Sequence, residues 1–119
     1  RRSRLQPGSV GGGLRDMPTY HKVDNGFTIG PNATQNWSWN WFGFGPNQGP
    51  VIFMADPKSG QSAEASLLTF DLAKVRGAPN SPHGNEVFYR FKIKNLSNIT
   101  VAFNLEIIRF KDLIPLGVP

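Results

Sequence analysis

The chain has no cysteine, few charges and no long apolar run, and each shortage removes a class of protein. Zero Cys among 119 residues excludes disulfide frameworks, thiolate zinc, iron–sulfur clusters and cysteine nucleophiles. Packing must then hold the fold, and one domain of this length buries roughly two-thirds of its unfolded surface. Charged residues are 18% of the chain, below the average of about 25%, which leaves a polar but weakly charged surface. No window approaches 18 apolar residues, so no membrane-spanning helix is read. No apolar segment follows Arg1-Arg2, so the pair is not read as a secretory or twin-arginine signal. Without an initiator Met, the chain is expected to be a processed product or a piece of a longer one.

What charge there is lies unevenly. Arg1, Arg2, Arg4 and Arg15 all precede the first acid, Asp16, leaving nine bases against eight acids in the rest of the chain. The formal +5 therefore describes a near-neutral body with a basic arm. Residues 1–18 form that arm, hinged at Gly11-Gly12-Gly13 and without apolar periodicity. Alone, such a composition is a flexible segment, and it gains order only by lying across something else.

From Tyr20 the pattern is β. Seven short strands are expected: Tyr20–Val23, Phe27–Ile29, Gln35–Phe42, Val51–Ala55, Ser66–Val75, Phe88–Lys94 and Val101–Ile107. Asp24-Asn25-Gly26 reads as a hairpin turn and Gly30-Pro31-Asn32 as a break. Ser66–Val75 is ambiguous, since Leu68, Leu72 and Val75 also fit one helical face; strand is preferred. The last two strands alternate cleanly and read as a hairpin, with Tyr89, Phe91 and Ile93 inward and Arg90, Lys92 and Lys94 outward. The fold expected is all-β: a single antiparallel β-sandwich, jelly-roll or Ig-like, of about 7–8 strands spanning 19–112, with the arm before it and an apolar tail, 113–119, after it.

Candidate sites are few. Trp37, Trp39 and Trp41 share one face of a strand. Inward they are core, the preferred reading; outward they would be a platform for sugar rings, with Asn40 and Asn47 as polar contacts. The stripe Arg90, Lys92, Lys94 could grip phosphates or an acidic surface, or be a solvated face or an edge guarded by charge. Four Asn-X-Ser/Thr sequons begin at Asn32, Asn36, Asn95 and Asn98, where about one is expected by chance. They fit a glycosylated domain, and equally the liking of Asn, Ser and Thr for turns, which is preferred. An enzymatic reading would need His21 with Asp24, or His83 near Glu86, as a base with its carboxylate inside a cleft. Neither histidine has metal-ligand spacing, and no metal or cofactor is expected.

Together these features favour a non-enzymatic structural or interaction subunit that self-associates through its arm and sheet edges. Arg1, Arg2, Arg4, Arg15, Arg90, Lys92 and Lys94 are its candidate partner-binding residues. The alternative is an extracellular carbohydrate-binding module built on Trp37, Trp39, Asn40, Trp41 and Asn47. A homo-oligomer is the expected partner, nucleic acid is conceivable only through the arm, and an extracellular or surface-exposed assembly is the expected location.

Overall fold

The computed structural model describes residues 19–41, 47–82, 84 and 86–110. The arm and the apolar tail lie outside the described residues. Within them are six strands and no helix: β1 (Thr19–Ile29), β2 (Thr34–Trp39), β3 (Val51–Pro57), β4 (Leu67–Arg76), β5 (Val87–Asn95) and β6 (Val101–Arg109). They make two antiparallel sheets, sheet A in the order β1-β6-β3 and sheet B in the order β2-β5-β4.

Among the described residues the count is six, not seven or eight, because Asp24-Asn25-Gly26 does not turn the chain. β1 runs along β6 from Thr19↔Arg109 to Ile29↔Val101, and the register slips between Val23 and Phe27. The three residues are a bulge, with Gly26 at φ 68 supplying a conformation that costs other residues steric energy. A second bulge explains the ambiguity at Ser66–Val75. This segment is a strand, but its register slips between Phe70 and Ala73, and Asp71 adopts φ 57. Extra residues at the slip break the two-residue period, which is why leucines that share no regular strand face mimic a helical stripe.

The expected terminal hairpin is also corrected. β5 and β6 do not pair with each other; each is the central strand of a different sheet. Their alternation is sound nonetheless, because each presents one face to the same core. Tyr89, Phe91 and Ile93 meet Val101, Phe103, Leu105 and Ile107 there, joined by Ile29, Val51, Phe53, Ala55 and Val87. Phe53 stacks on Phe91 at 4.5 Å, and Trp37 stacks on the same ring at 5.8 Å, so aromatic groups bridge the two layers. Burying each such side chain is worth roughly 1.5–3 kcal/mol.

Three chain crossings between the sheets converge at one end of the sandwich, and a single side chain organises them. Asn95 is wholly buried at the end of β5. Its Nδ2 donates to the carbonyls of Ile29 (3.1 Å), Gly30 (2.9 Å) and Ile99 (2.8 Å), and its Oδ1 accepts from the Ser97 N–H at 2.8 Å. The Asn95 N–H reaches the Ala33 carbonyl, and that of Leu96 the Ser66 carbonyl, each at 2.9 Å. Ser97 Oγ accepts from the Ser66 N–H at 2.7 Å. The β1–β2, β3–β4 and β5–β6 connections are thereby tied to one corner.

The two seams between sheets carry similar stitches. Ala55 N–H on β3 donates to Thr69 Oγ1 on β4 at 2.9 Å, and Gln35 Nε2 on β2 donates to the Thr28 carbonyl on β1 at 2.9 Å.

Asn95→Ala strands buried carbonyls and one N–H at once, so it should cost about 2–4 kcal/mol. Asn95→Asp keeps the shape but loses the donors and should also destabilise. Urea unfolding at unchanged slope measures both. A loss for Asn95→Ala within ~0.5 kcal/mol, the usual span for inconsequential substitutions, would contradict the assignment.

Candidate functional site

Local folding places the sequence-selected residues on three surfaces: the end of the sandwich opposite the Asn95 corner, and the outer face of each sheet.

At the end, β2 carries its indoles inward. Trp37 meets Phe27 edge-on at 4.9 Å, and its Nε1 donates to Gln35 Oε1 at 3.1 Å. Trp39 packs toward Phe53 and Trp41, and Trp41 meets Tyr89 edge-on at 5.5 Å. All three are half-buried against the core, so none of them presents a free ring face on the outer side of β2. Asn40 is engaged too, its Nδ2 donating to Glu86 Oε1 at 2.6 Å. Asn47 is exposed, with its Oδ1 accepting from the Gly49 N–H at 2.9 Å.

Sequence reasoning missed the groups that surround these. Glu86 and Gln48 are buried, Gln48 Oε1 accepts from Arg109 at 2.6 Å, and that guanidinium lies 5.7 Å from the Trp41 ring centre. The Gln48 N–H donates to the Tyr89 hydroxyl at 2.9 Å, and the hydroxyl donates to the Gly49 carbonyl at 3.1 Å. Burial holds this phenol above its ordinary value of 10.0 despite the Gln48 bond, which favours the anion. The one available signal was positional: Glu86, Gln48 and Arg109 each adjoin an end of an apolar strand. The polar groups of the cluster close the end of the core, and among the described residues the buried Trp39 Nε1 is left without a hydrogen-bond partner there.

The outer face of sheet A is laced by charge. Lys22 Nζ reaches across β6 to Asp56 at 3.3 Å, Lys58 to Asp24 at 2.8 Å, and the Tyr20 hydroxyl donates to Glu106 at 2.8 Å. Asp24 is thus engaged with Lys58 rather than with His21, and His83 lies outside the described residues. Beside the charges is an apolar row, Tyr20–Ile108–Ile52, with Met54 next to it. Tyr20, Ile52 and Met54 are about half exposed.

The outer face of sheet B holds Arg90, Lys92 and Lys94. β5 is the central strand there, so the stripe does not guard an edge. Cross-strand rows run Ser38–Arg90–Ala73, Asn36–Lys92–Phe70 and Thr34–Lys94–Leu68. Lys92 lies 3.6 Å from Asp71, and Arg90 lies 5.8 Å from the Phe88 ring. Arg1, Arg2, Arg4 and Arg15 fall outside the described residues.

Among the sequons, Asn32, Asn36 and Asn98 are exposed, whereas a glycan on Asn95 is incompatible with this fold. Among the described residues no group of three or more His, Asp or Glu could hold a metal. A shallow pocket of about 300 Å³ beside the corner, between Ala63–Ser66 and Leu96–Ile99, has Glu64 as its one titratable group. The chain matches no family model, no curated protein and no solved structure. What the geometry of the described residues defines is an all-β arrangement of two three-stranded antiparallel sheets whose distinctive chemistry lies on their outer faces.

The bond from Lys58 holds the Asp24 carboxyl below its ordinary value of 3.8. This lowered group stabilises the fold above the unfolded value and ceases to do so as pH falls through the folded one. Thermal unfolding between about pH 5 and pH 2 should therefore show a slope that Asp24→Asn flattens. The same slope in both proteins would contradict the pairing.

Proposed function

We propose that this chain is a non-enzymatic structural or interaction subunit that self-associates, a second copy being its first partner. The observation that supports the reading is the apolar row Tyr20–Ile108–Ile52 with Met54 on the outer face of sheet A. It stands where β1 begins and β6 ends, beside the point at which the basic arm joins the sandwich at Thr19. Burying such a row against a copy of itself gives an isologous contact, since the same patch serves both partners. An arm entering at that margin can lie along the neighbour's sheet edge, where added burial offsets the entropy of ordering it. The pairs Lys22–Asp56 and Lys58–Asp24, with Glu106 bonded to the Tyr20 hydroxyl, would form the polar rim around the row.

Light scattering at micromolar concentration tests the proposal. The expected result is a mass that is a multiple of 13.2 kDa. Ile52→Glu, an exposed substitution that leaves the core intact, should weaken association by roughly 10-fold or more, and removal of residues 1–18 should weaken it further. A monomer mass in every case would overturn it.

A further inference from the structure

The cations of sheet B stand apart from the self-association surface, and their surroundings define what they fit. Successive cations along β5 are roughly 7 Å apart, and the neighbouring strands lie about 4.8 Å to either side. One flank is a line of short hydrogen-bonding side chains, Thr34, Asn36 and Ser38, all exposed. The other is apolar: Leu68, Phe70 and Ala73, with Leu68 45% exposed. Three parallel lines result, of uncharged hydrogen-bonding groups, positive charge and carbon.

Beside the stripe the chain sets Asp71, 3.6 Å from Lys92, but no row of anions among the described residues that matches all three cations. Residues 1–18 carry four arginines and one acid, and residues 111–119 one base and one acid. On the opposite face Asp24, Asp56 and Glu106 are engaged with Lys58, Lys22 and Tyr20. An acidic protein is a poor match, since protein interfaces place apolar groups at the centre and charge at the rim. Here charge is central and carbon marginal. Single-stranded nucleic acid binds through a series of exposed aromatic rings on which bases stack; the indoles of β2 face the core, and the two rings near the stripe, Phe70 and Phe88, are each partly buried.

We propose that the outer face of sheet B binds a linear acidic polysaccharide, carboxylated or sulfated. Arg90, Lys92 and Lys94 pair with successive anionic groups, Lys92 exchanging Asp71 for the ligand. Thr34, Asn36 and Ser38 hydrogen-bond the sugar hydroxyls, and Leu68 and Phe70 contact the C–H faces of the rings. The affinity is that of a polyelectrolyte, driven by release of counterions and sensitive to salt. This inference does not rest on self-association.

The test is titration of the full chain with polygalacturonate and with dextran sulfate, which separate carboxylate from sulfate, beside neutral dextran. Binding to at least one acidic polymer and not to dextran is expected, weakened roughly 10-fold when salt rises about fourfold. The triple variant R90Q/K92Q/K94Q should lose about 10-fold or more in affinity, with its unfolding midpoint kept. R1Q/R2Q/R4Q/R15Q should retain binding within about threefold, and Asn36→Ala should weaken it by a few-fold. The proposal is overturned if neither polymer binds, or if the arm variant loses binding while the triple variant keeps it. It is equally overturned if poly-L-glutamate or oligodeoxythymidylate of matched charge binds as tightly.

Discussion

The carboxamide of Asn95 is the constraint on which this sandwich depends. A fold in which every connection but β4–β5 passes from one sheet to the other must carry its backbone across the gap repeatedly, and each crossing leaves polar groups without ladder partners. At the corner, one buried side chain engages three such carbonyls and one N–H, and its own N–H bonds a fourth carbonyl. An unmade bond in that setting costs more than a made bond contributes, so the group acts less as added stability than as a condition on the topology.

The exposed chemistry follows from that topology. With β5 and β6 each central in a different sheet, their inward faces supply most of the buried core and their outward faces run down the middle of the two broad surfaces. Arg90, Lys92 and Lys94 consequently sit mid-sheet, flanked on both sides, rather than along a rim. The outer face of sheet A became the opposite kind of surface, with Lys22 and Lys58 each paired to a carboxylate and its apolar side chains left at one end.

Much of this could be read in the sequence. Inward and outward residues of β5 and β6 were legible because a two-residue period survives whichever strand lies alongside. Pairing was not, since the pattern that marks a half-buried strand is the same in a hairpin and in two strands facing each other across a core. Asp24-Asn25-Gly26 has the composition of a turn because bulge and turn share the need for a positive φ at Gly26. The strand Leu67–Arg76 was blurred by its own bulge at Asp71. The candidate surfaces were half legible: the cationic stripe was visible, but its flanking rows belong to strands far away in sequence. Asn95 looked like a turn residue and a glycan acceptor, and nothing local reveals that the remote carbonyls of Ile29 and Gly30 converge on it beside that of Ile99.

The account is tested most directly by exchange of the Asn95 side-chain amide protons with solvent, followed by NMR. With those protons held by the carbonyls of Ile29, Gly30 and Ile99, exchange should occur only through global unfolding, tracking the stability of the slowest core amides. Exchange as fast as that of the exposed Asn98 side chain would contradict it.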